Sequence, residues 1–310
     1  MLTCRSLEDL ARQPGPLHLA LGVFDGVHAG HQEVLRRAVE AARLRGGTAG
    51  LVTFDPHPIS VIAPGKAPSS LLSSLDHKAE IVRDLGIGLF VPLPFDEAMA
   101  RMEAQKFLAR LLRAPIATIA IGEDWRFGHN RAGDVEMLRA AAAEHAFRLE
   151  AVAPVMLDGD RISSTRIRQA IRDGNLADAA RMLGRPYSIS GPVVHGRKLG
   201  RTIGFPTANV SIEHHQLPPP GVWEVTVDVE DFGRFTGAAN LGGRPTMGSD
   251  DLALEVHLLD FDGELYGKRL DVEFVRHLRG VKRFSGPDEL AAAILNDIAE
   301  IRRGISGGRA

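Results

Sequence analysis

The sequence predicts two folds in one chain: a doubly wound α/β sheet, then a small antiparallel β-barrel followed by a C-terminal helix. Three observations predict this. The first half alternates short apolar runs with amphipathic stretches at helical spacing. From Tyr187 onward the chain instead reads as strands separated by Gly/Pro turns. Its 310 residues also exceed what a single core usually fills. The change of pattern puts the boundary near Gly184–Tyr187, giving domains 1–184 and 185–310.

In the first half, Leu17–Phe24, Thr48–Phe54, Leu89–Leu93, Thr118–Ile121 and Leu149–Val155 each read as a strand. They are apolar on both faces, as in a parallel sheet covered by helices. Between them, Val34, Leu35, Ala38, Val39 and Ala42 keep helical spacing, as do Leu75, Ala79, Val82 and Leu85. Ala98, Met102, Leu108 and Leu111 mark one further helix, and Asp134 to Ala146 another. Alternating strand and helix builds βαβ units with right-handed crossovers, hence a doubly wound sheet. Ser163, Ser164 and Thr165 offer N-caps for a short helix through Ile167, Ala170 and Ile171 that Gly174 stops. Leu176, Ala179, Ala180 and Leu183 form the next, ending at Gly184.

Beyond Arg185-Pro186 the expected strands are Ser188–His195, Val222–Val229, Phe235–Leu241, Leu252–Leu259 and Leu270–Val275. Alternation is clear in Val225, Val227 and Val229, and again in Leu254, Val256 and Leu258. Closing such short strands into a barrel removes their exposed edges. Ser285 and Asp288 open a last helix as a capping box, with Leu290, Ile294, Ile298 and Ile301 on one face.

Composition excludes several function classes. Hydrophobic content of 44% and charged content of 25% are those of an ordinary soluble globular protein. A formal net charge of −2 lacks the basic excess of a nucleic-acid-binding surface, so no nucleic-acid partner is expected. The single cysteine, Cys4, permits no intramolecular disulfide and reads as a peripheral residue. Met1–Gln13 carries Glu8 and Asp9 without a continuous apolar core, unlike a secretory signal. The run Leu17–Phe24 is too short to span a bilayer. The expectation is a cytoplasmic protein without a membrane partner, with a homo-oligomer left open.

Two unrelated compound motifs carry the chemistry. The first is Gly22-Val23-Phe24-Asp25-Gly26-Val27-His28-Ala29-Gly30-His31, where a strand gives way to a helix. A helix N-terminus offers free N–H groups and positive potential, so it attracts phosphate. Gly26 and Gly30 let the backbone come close. His28 and His31, three residues apart, share one side of the first turn and suit a reaction that needs positioned donors around phosphorus. Taken alone, the pair fits a core histidine or a metal pair equally well. A second element, Arg161-Ile162-Ser163-Ser164-Thr165-Arg166-Ile167-Arg168, lies at another helix start. There Ser164 and Thr165 can donate to phosphate, and Arg168 can reach it bidentately. Together the two elements resemble the paired motifs of class I nucleotidylyltransferases. Phe54, Asp55 and His57 after the second strand, and Asp124 and Arg126 after a later one, fall at strand C-terminal ends, where open α/β sheets bind ligands.

The second motif runs from Gly196 to Asn209. Gly196, Lys198, Gly200 and Gly204 supply flexible backbone and cationic charge, though no Walker A loop. The hydroxyl of Thr207, after Pro206, and the side-chain carbonyl of Asn209 are hard oxygen ligands of the kind Mg²⁺ accepts beside ATP phosphates. Phosphorylating an alcohol also needs a base. Glu255, in the apolar run Leu252–Leu259, is the candidate; which face of the strand it takes is open.

With both halves read, the chain resembles the bifunctional riboflavin kinase/FMN adenylyltransferases, the prokaryotic FAD synthetases, from about Leu17 to the last helix. Supporting pieces are Leu183–Tyr187, Gly221–Trp223, the run Asn240-Leu241-Gly242-Gly243-Arg244-Pro245-Thr246, Glu255–Asp260 and Leu265–Gly267. The resemblance implies a Rossmann-like nucleotidylyltransferase domain that joins AMP to FMN with release of pyrophosphate, and a riboflavin-kinase-like barrel that phosphorylates riboflavin with Mg²⁺–ATP. Flavins are then substrate and product. In the first site it implies that His28, His31 and Arg168 stabilise the transition state, with Gly22, Phe24, Asp25, Gly30, Ser163, Ser164 and Thr165 on ATP and Phe54, Asp55, His57, Asp124 and Arg126 on flavin. In the second, Glu255 is the base, Thr207 and Asn209 hold Mg²⁺–ATP, and Arg279 and Phe284 grip flavin. Trp125 and Trp223 depart from the family's usual Phe and Tyr, and Val281 stands near its usual acid. That last change makes an adenylyltransferase with an impaired kinase half the alternative.

Overall fold

A computed structural model describes residues 1–66, 70–196, 203–212, 214–243 and 252–306, with the backbone alone at Lys66. The chain divides into two compact units, Met1–Arg166 and Ile167–Ala310.

The first unit is built on β1 (Leu2–Thr3), α1 (Leu7–Ala11), β2 (Leu17–Leu21), α2 (Ala29–Arg45), β3 (Thr48–Asp55), α3 (Pro58–Ile62) and α4 (Leu75–Asp84). It continues with β4 (Leu89–Pro94), α5 (Glu97–Ala100), α6 (Ala104–Leu111), β5 (Ile116–Gly122), α7 (Val135–His145), β6 (Arg148–Val152) and the hairpin β7 (Met156–Leu157) and β8 (Asp160–Arg161). The sheet is parallel, in the order β1-β4-β3-β2-β5-β6. Reversal of order at β2 makes it doubly wound, with a crevice beyond the strand C-termini. Alternate residues of each strand feed two apolar layers. Leu19, Leu21, Val52, Val91 and Ile119 pack with Phe107, Leu111 and Leu138, while Ala20, Leu51, Phe90 and Ala120 pack with Val34, Leu35, Ala38 and Val82. Burial on both faces is why these strands read as continuous apolar runs.

Several details differ from the sequence reading of this half, among them a β6 that ends at Val152 instead of Val155 and a Cys4 that is buried in the core where the sequence reads it as peripheral. The first strand stops at Leu21, before Phe24. β1 and α1 are additional. The single helix expected through Ala98 and Leu111 is two, because Met102 donates its N–H back to Met99 and gives its carbonyl to His129 N–H at 2.7 Å. With that carbonyl taken, the helical ladder cannot continue.

The second unit holds the remainder of α8 (Ser164–Arg172), then α9 (Leu176–Leu183), β9 (Ser188–Val194), β10 (Ala208–Val210), β11 (Gly221–Val229), β12 (Gly233–Gly243), β13 (Leu252–Leu258), β14 (Arg269–Arg279) and α10 (Pro287–Ser306). Six antiparallel strands close in the order β10-β13-β12-β11-β14-β9. Gly184, in the left-handed conformation at φ 69°, ends α9 as the sequence predicts. The short β10 was not foreseen; it completes the barrel between β9 and β13. α10 lays Ile298 and Ile301 against Ala238, Leu259 and Leu278 on the outside of the barrel. Its cap also differs: the Ser285 N–H and hydroxyl both donate to Glu289 at 2.9 Å, so Glu289, and not Asp288, is the acidic partner. Pro287 occupies the first helical position, which shifts the box by one residue. No described helix is long and apolar enough to cross a membrane.

Candidate functional site

The first site forms where β2 hands the chain to α2. Phe24, Gly26 and Val27 all have positive φ, at 53°, 77° and 44°. Glycine takes this conformation freely, but a β-branched valine does so only under strain of ~1–3 kcal/mol. The buried turn is held there by its surroundings. Asp25 accepts Leu72 N–H at 2.9 Å, and Gly26 N–H donates to the Ser73 hydroxyl at 3.2 Å.

The strained turn delivers two stacked imidazoles to the head of α2. The His28 and His31 rings lie 3.6 Å apart and 15° from parallel, with Phe24 against His31 at 5.0 Å. His28 is the N-cap: its Nδ1 accepts His31 N–H at 3.3 Å, so in the neutral ring the proton sits on Nε2. A Cβ at Gly30 would stand 3.2 Å from that ring, which explains a glycine between the histidines. Burial first, then the neighbouring His28 ring and the cations Lys78 and Arg161, hold His31 well below the ordinary imidazole range. Its Nδ1 is buried without a hydrogen-bond partner among the described residues.

The second sequence element converges on the same turn. Ser163 accepts Arg166 N–H at 3.3 Å, capping α8, and the Ser164 hydroxyl donates to the Asp25 carbonyl at 3.1 Å. Ser164 thereby ties the start of α8 to the first motif across 139 residues of sequence. Thr165 follows on the first turn of α8, and Arg168, 8% exposed, lies one turn beyond Ser164.

Beside the turn, at the ends of β3 and β5, stands an aromatic wall. Phe54 meets Phe95 edge-on at 5.5 Å and Phe107 at 6.4 Å, and Trp125 stacks on Phe127 at 4.8 Å. Such rings offer flat apolar faces to a planar ligand. Other residues singled out in the sequence have local partners. The His57 Nδ1 caps α3 by accepting Ile59 N–H, Asp124 pairs with Arg161 at 2.6 Å, and Arg126 pairs with Asp134, the α7 cap, at 2.6 Å. Asp55 is exposed at the β3 terminus.

Sequence reasoning missed Lys78. Its ammonium, on α4, donates to the Val23 carbonyl at 2.8 Å and to the Thr53 hydroxyl at 3.4 Å, and the residue is 6% exposed. Burial lowers its pKa to about 8 against the opposing pull of Asp25 and Asp55. A signal existed: Leu75, Lys78, Ala79 and Val82 follow the i, i+3, i+4, i+7 spacing of the helix's apolar stripe.

The second site lies on the outer face of the barrel. Leu254, Val256 and Leu258 point inward and are buried, so Glu255 and His257 point out. Across the ladders Asn209 faces Glu255 from β10, and Asn240 faces it from β12. One row therefore carries a carboxylate between two amides; Asn240 was missed because only strand register reveals it. A Cβ at Gly196 would fall 2.2 Å from Asn209 Nδ2, so the glycine seats that amide. Gly204 turns the chain at φ 86°, and His257 Nδ1 donates to the Pro206 carbonyl at 2.8 Å. Thr207 lines a cavity of about 310 Å³ together with Asp262 and Tyr266 and with Val256 and Leu258 from the inward side of β13, so it opens on a different face from Glu255. Lys198 and Gly200 lie outside the described residues, as do Arg244, Pro245 and Thr246.

Arg279 forks onto Asp297 of α10, with Nε and Nη2 at 2.9 and 2.8 Å. Its guanidinium also lies 5.6 Å from the centre of the Phe284 ring, with Lys282 at 5.5 Å. Asp297, 7% exposed, was not foreseen; it interrupts the apolar face read from Leu290 to Ile301. Among the described residues, no group of three or more His, Cys, Asp or Glu is placed to hold a metal ion.

Comparison with known proteins follows the same division. The family model described as FAD synthetase matches residues 11–166, and the one described as riboflavin kinase matches residues 183–305. The bifunctional riboflavin kinase/FMN adenylyltransferase of Escherichia coli (strain K12) is 39% identical over 300 residues, covering 96% of each chain. That of Pseudomonas fluorescens is 39% identical over 305 residues and 97% of each, and that of Listeria monocytogenes 35% over 287 residues, 92% of this chain and 91% of its own. Among solved structures, a macrolide-efflux protein from Streptococcus pneumoniae aligns at a TM-score of 0.82 and 30% identity, covering 97% of this chain and 98% of that one. The presence of both domains, with relatives matched along nearly the whole length, disfavours the reading with one impaired half. The chain belongs to the bifunctional riboflavin kinase/FMN adenylyltransferase family.

Proposed function

We propose that the two reactions are divided between the stacked histidines of the first unit and the Asn209–Glu255–Asn240 row of the second. The observation that carries this is their separation: each constellation is assembled from strands and turns of its own unit.

At the first site, an oxygen of the FMN phosphate attacks the α-phosphorus of ATP, the bond to the β-phosphate oxygen breaks, and pyrophosphate leaves. The nucleophile is already ionised, so the chain needs to supply donors and position, not a base. His28, with its proton on Nε2, and His31, kept neutral by burial, are suited to donate to phosphate oxygens at the head of α2. Gly22, Phe24, Asp25, Gly30, Ser163, Ser164 and Thr165 shape the cradle, while Arg168, the candidate bidentate cation, falls by its number in the second unit. The wall around Phe54 and Trp125 takes the flavin ring, flanked by Asp55, His57, Asp124 and Arg126.

At the second site, Glu255 takes the proton from the ribityl 5′-hydroxyl as its oxygen attacks the γ-phosphorus, and ADP leaves. Asn209 and Thr207 would hold Mg²⁺ that arrives with ATP: each offers a neutral hard oxygen, and the Asn209 amide is seated against Gly196. Bound there, Mg²⁺ neutralises charge on the transferring phosphates. Gly196, Lys198, Gly200, Gly204 and Pro206 form the ATP loop, and Arg279 and Phe284 border the flavin. We place the division of labour at 184/185: Gly184 ends α9, and the riboflavin kinase match begins at 183. The enzyme works in the cytoplasm, without a nucleic-acid or membrane partner.

Incubation of the full chain with riboflavin, ATP and Mg²⁺, resolved by chromatography, tests this. Wild type yields FMN and then FAD. His31→Ala stops at FMN, and Glu255→Gln lowers the rate constant for FMN formation while FAD still forms from added FMN. Equal loss of both products in either variant refutes the division.

A further inference from the structure

A buried lysine in the first unit has no role in the scheme above. The Val23 carbonyl, which Lys78 Nζ reaches at 2.8 Å, already accepts the Thr53 hydroxyl at 2.8 Å. An apolar side chain of similar length would fill the same space without the cost of desolvating a charge. Yet the ammonium is retained between the turn that precedes the histidines and the end of β3, within electrostatic reach of His31, Asp25 and Asp55.

We propose that Lys78 is a positioning residue of the adenylyl-transfer site: it clamps the Val23 turn to the end of β3 and places an ammonium beside His31. The inference rests on the reading of His28 and His31 as the phosphate-handling pair. Val23 precedes the positive-φ run Phe24, Gly26 and Val27, so a strut on its carbonyl holds the strained turn that aims both imidazoles. Thr53 precedes Phe54 of the aromatic wall, so the same ammonium ties the turn to the strand that carries that wall. The charge also opposes protonation of His31. The other groups facing His31 are His28, stacked upon it, the Phe24 ring, and Arg161, itself paired with Asp124. None of these is an acid, so loss of Lys78 leaves Arg161 as the remaining side-chain cation among them and nothing compensates.

The test uses the full chain with Lys78→Met and Lys78→Gln, the folding of the first unit being checked by circular dichroism and thermal melting. FAD formation from FMN is expected to fall by about tenfold to a hundredfold, the range for a misplaced catalytic group. FMN formation from riboflavin should stay within about twofold of wild type, since those residues lie in the other unit. The readout that packing alone does not move is the His31 titration, followed by NMR. Without the neighbouring cation it should rise toward the ordinary imidazole value, carrying the acid limb of the FAD-forming pH profile with it.

Wild-type FAD formation in both variants overturns the proposal, as does a fall in rate with the His31 titration unmoved. If neither variant folds, Thr53→Val takes their place. It removes the hydroxyl that contacts Lys78 and shares its acceptor. It should lower FAD formation several-fold, and a wild-type rate there overturns the proposal. His31→Ala separates the failures. If it keeps full FAD formation, the histidine reading falls and this one with it; if it loses FAD formation while the Lys78 variants do not, only this one falls.

Discussion

Gly196→Ala should disable FMN formation by displacing a different residue. The added Cβ would stand 2.2 Å from Nδ2, 2.5 Å from Cγ and 2.7 Å from Oδ1 of Asn209. Ordinary contact begins at 3.4 Å, so the amide must retreat by 3.4 − 2.2, or about 1.2 Å. Gly196 is not among the positive-φ glycines, so alanine strains no backbone there and the whole effect is steric. Asn209 is half-buried at the centre of β10, and rotation of its side chain alone keeps the stability loss to about 1 kcal/mol. Its proposed work as an oxygen ligand cannot survive the same move. A displacement of about 1 Å costs about a hundredfold in rate, or ~2.7 kcal/mol of barrier. The assay is kcat for FMN from riboflavin in Gly196→Ala, Asn209→Ala and the double variant, with FAD from FMN as the internal control. The two single variants should each lose about a hundredfold, and the double should lose no more than either. Additive losses, or a crippled Gly196→Ala beside an active Asn209→Ala, would refute the reasoning.

Two further predictions concern stability. The Lys78 ammonium titrates near 8 when folded and near 10.5 when unfolded. Between those values the unfolded chain holds a proton that the folded chain has shed, so stability from this group rises with pH from 8 to 10.5 and is at its lowest, and flat, below 8. The full span corresponds to ~3 kcal/mol as an upper figure. Melting wild type and Lys78→Met between pH 7.5 and 10 should show wild type gaining on the variant, and a constant gap refutes it. Asp297→Ala removes the carboxylate that Arg279 grips through two nitrogens and should cost the barrel unit about 1–3 kcal/mol in urea unfolding. FAD formation from FMN should be untouched; an unchanged barrel midpoint would show the pair to be a surface ornament.

Much of this was legible because both units obey local rules. The parallel strands announce themselves as apolar runs since helices cover both faces, and the capping serines, Gly174 and Gly184 end helices by chemistry that a short window reveals. The motif histidines are legible for the same reason, lying on one turn. What escaped depends on long-range register or on a neighbour's carbonyl. The break between α5 and α6 is set by His129 taking the Met102 carbonyl, 27 residues away in sequence by their numbers. Asn240 joins Glu255 only through the β12–β13 ladder, and the orientation of Glu255 follows from β13 packing inward at Leu254, Val256 and Leu258. Lys78 was overlooked because charge on a helix usually means the solvated side; its position on the apolar stripe was the contrary sign.

The two sites also differ in a way that their chemistry demands. Adenylyl transfer uses a phosphate nucleophile that is ionised before it arrives, so a carboxylate at the centre would only repel it. The one carboxylate in the histidine turn, that of Asp25, accepts the Leu72 N–H and so serves the turn's shape, while the groups presented to phosphate in the proposed scheme are imidazoles, helix N–H groups and Arg168. Phosphorylation of riboflavin starts from a neutral hydroxyl, which must lose a proton, and there the proposed centre is a carboxylate, Glu255, flanked by two amides. The contrast has a measurable edge. Replacing Glu255 with Gln keeps its shape and removes its basicity, so kcat for FMN formation should fall by about a hundredfold or more with the KM for riboflavin nearly unchanged. Replacing Asp25 with Asn keeps an acceptor for Leu72 N–H, so FAD formation should persist within about tenfold. A collapse of FAD formation in Asp25→Asn would mean that its charge is used in the reaction, and the division between a base-dependent and a base-free site would not stand.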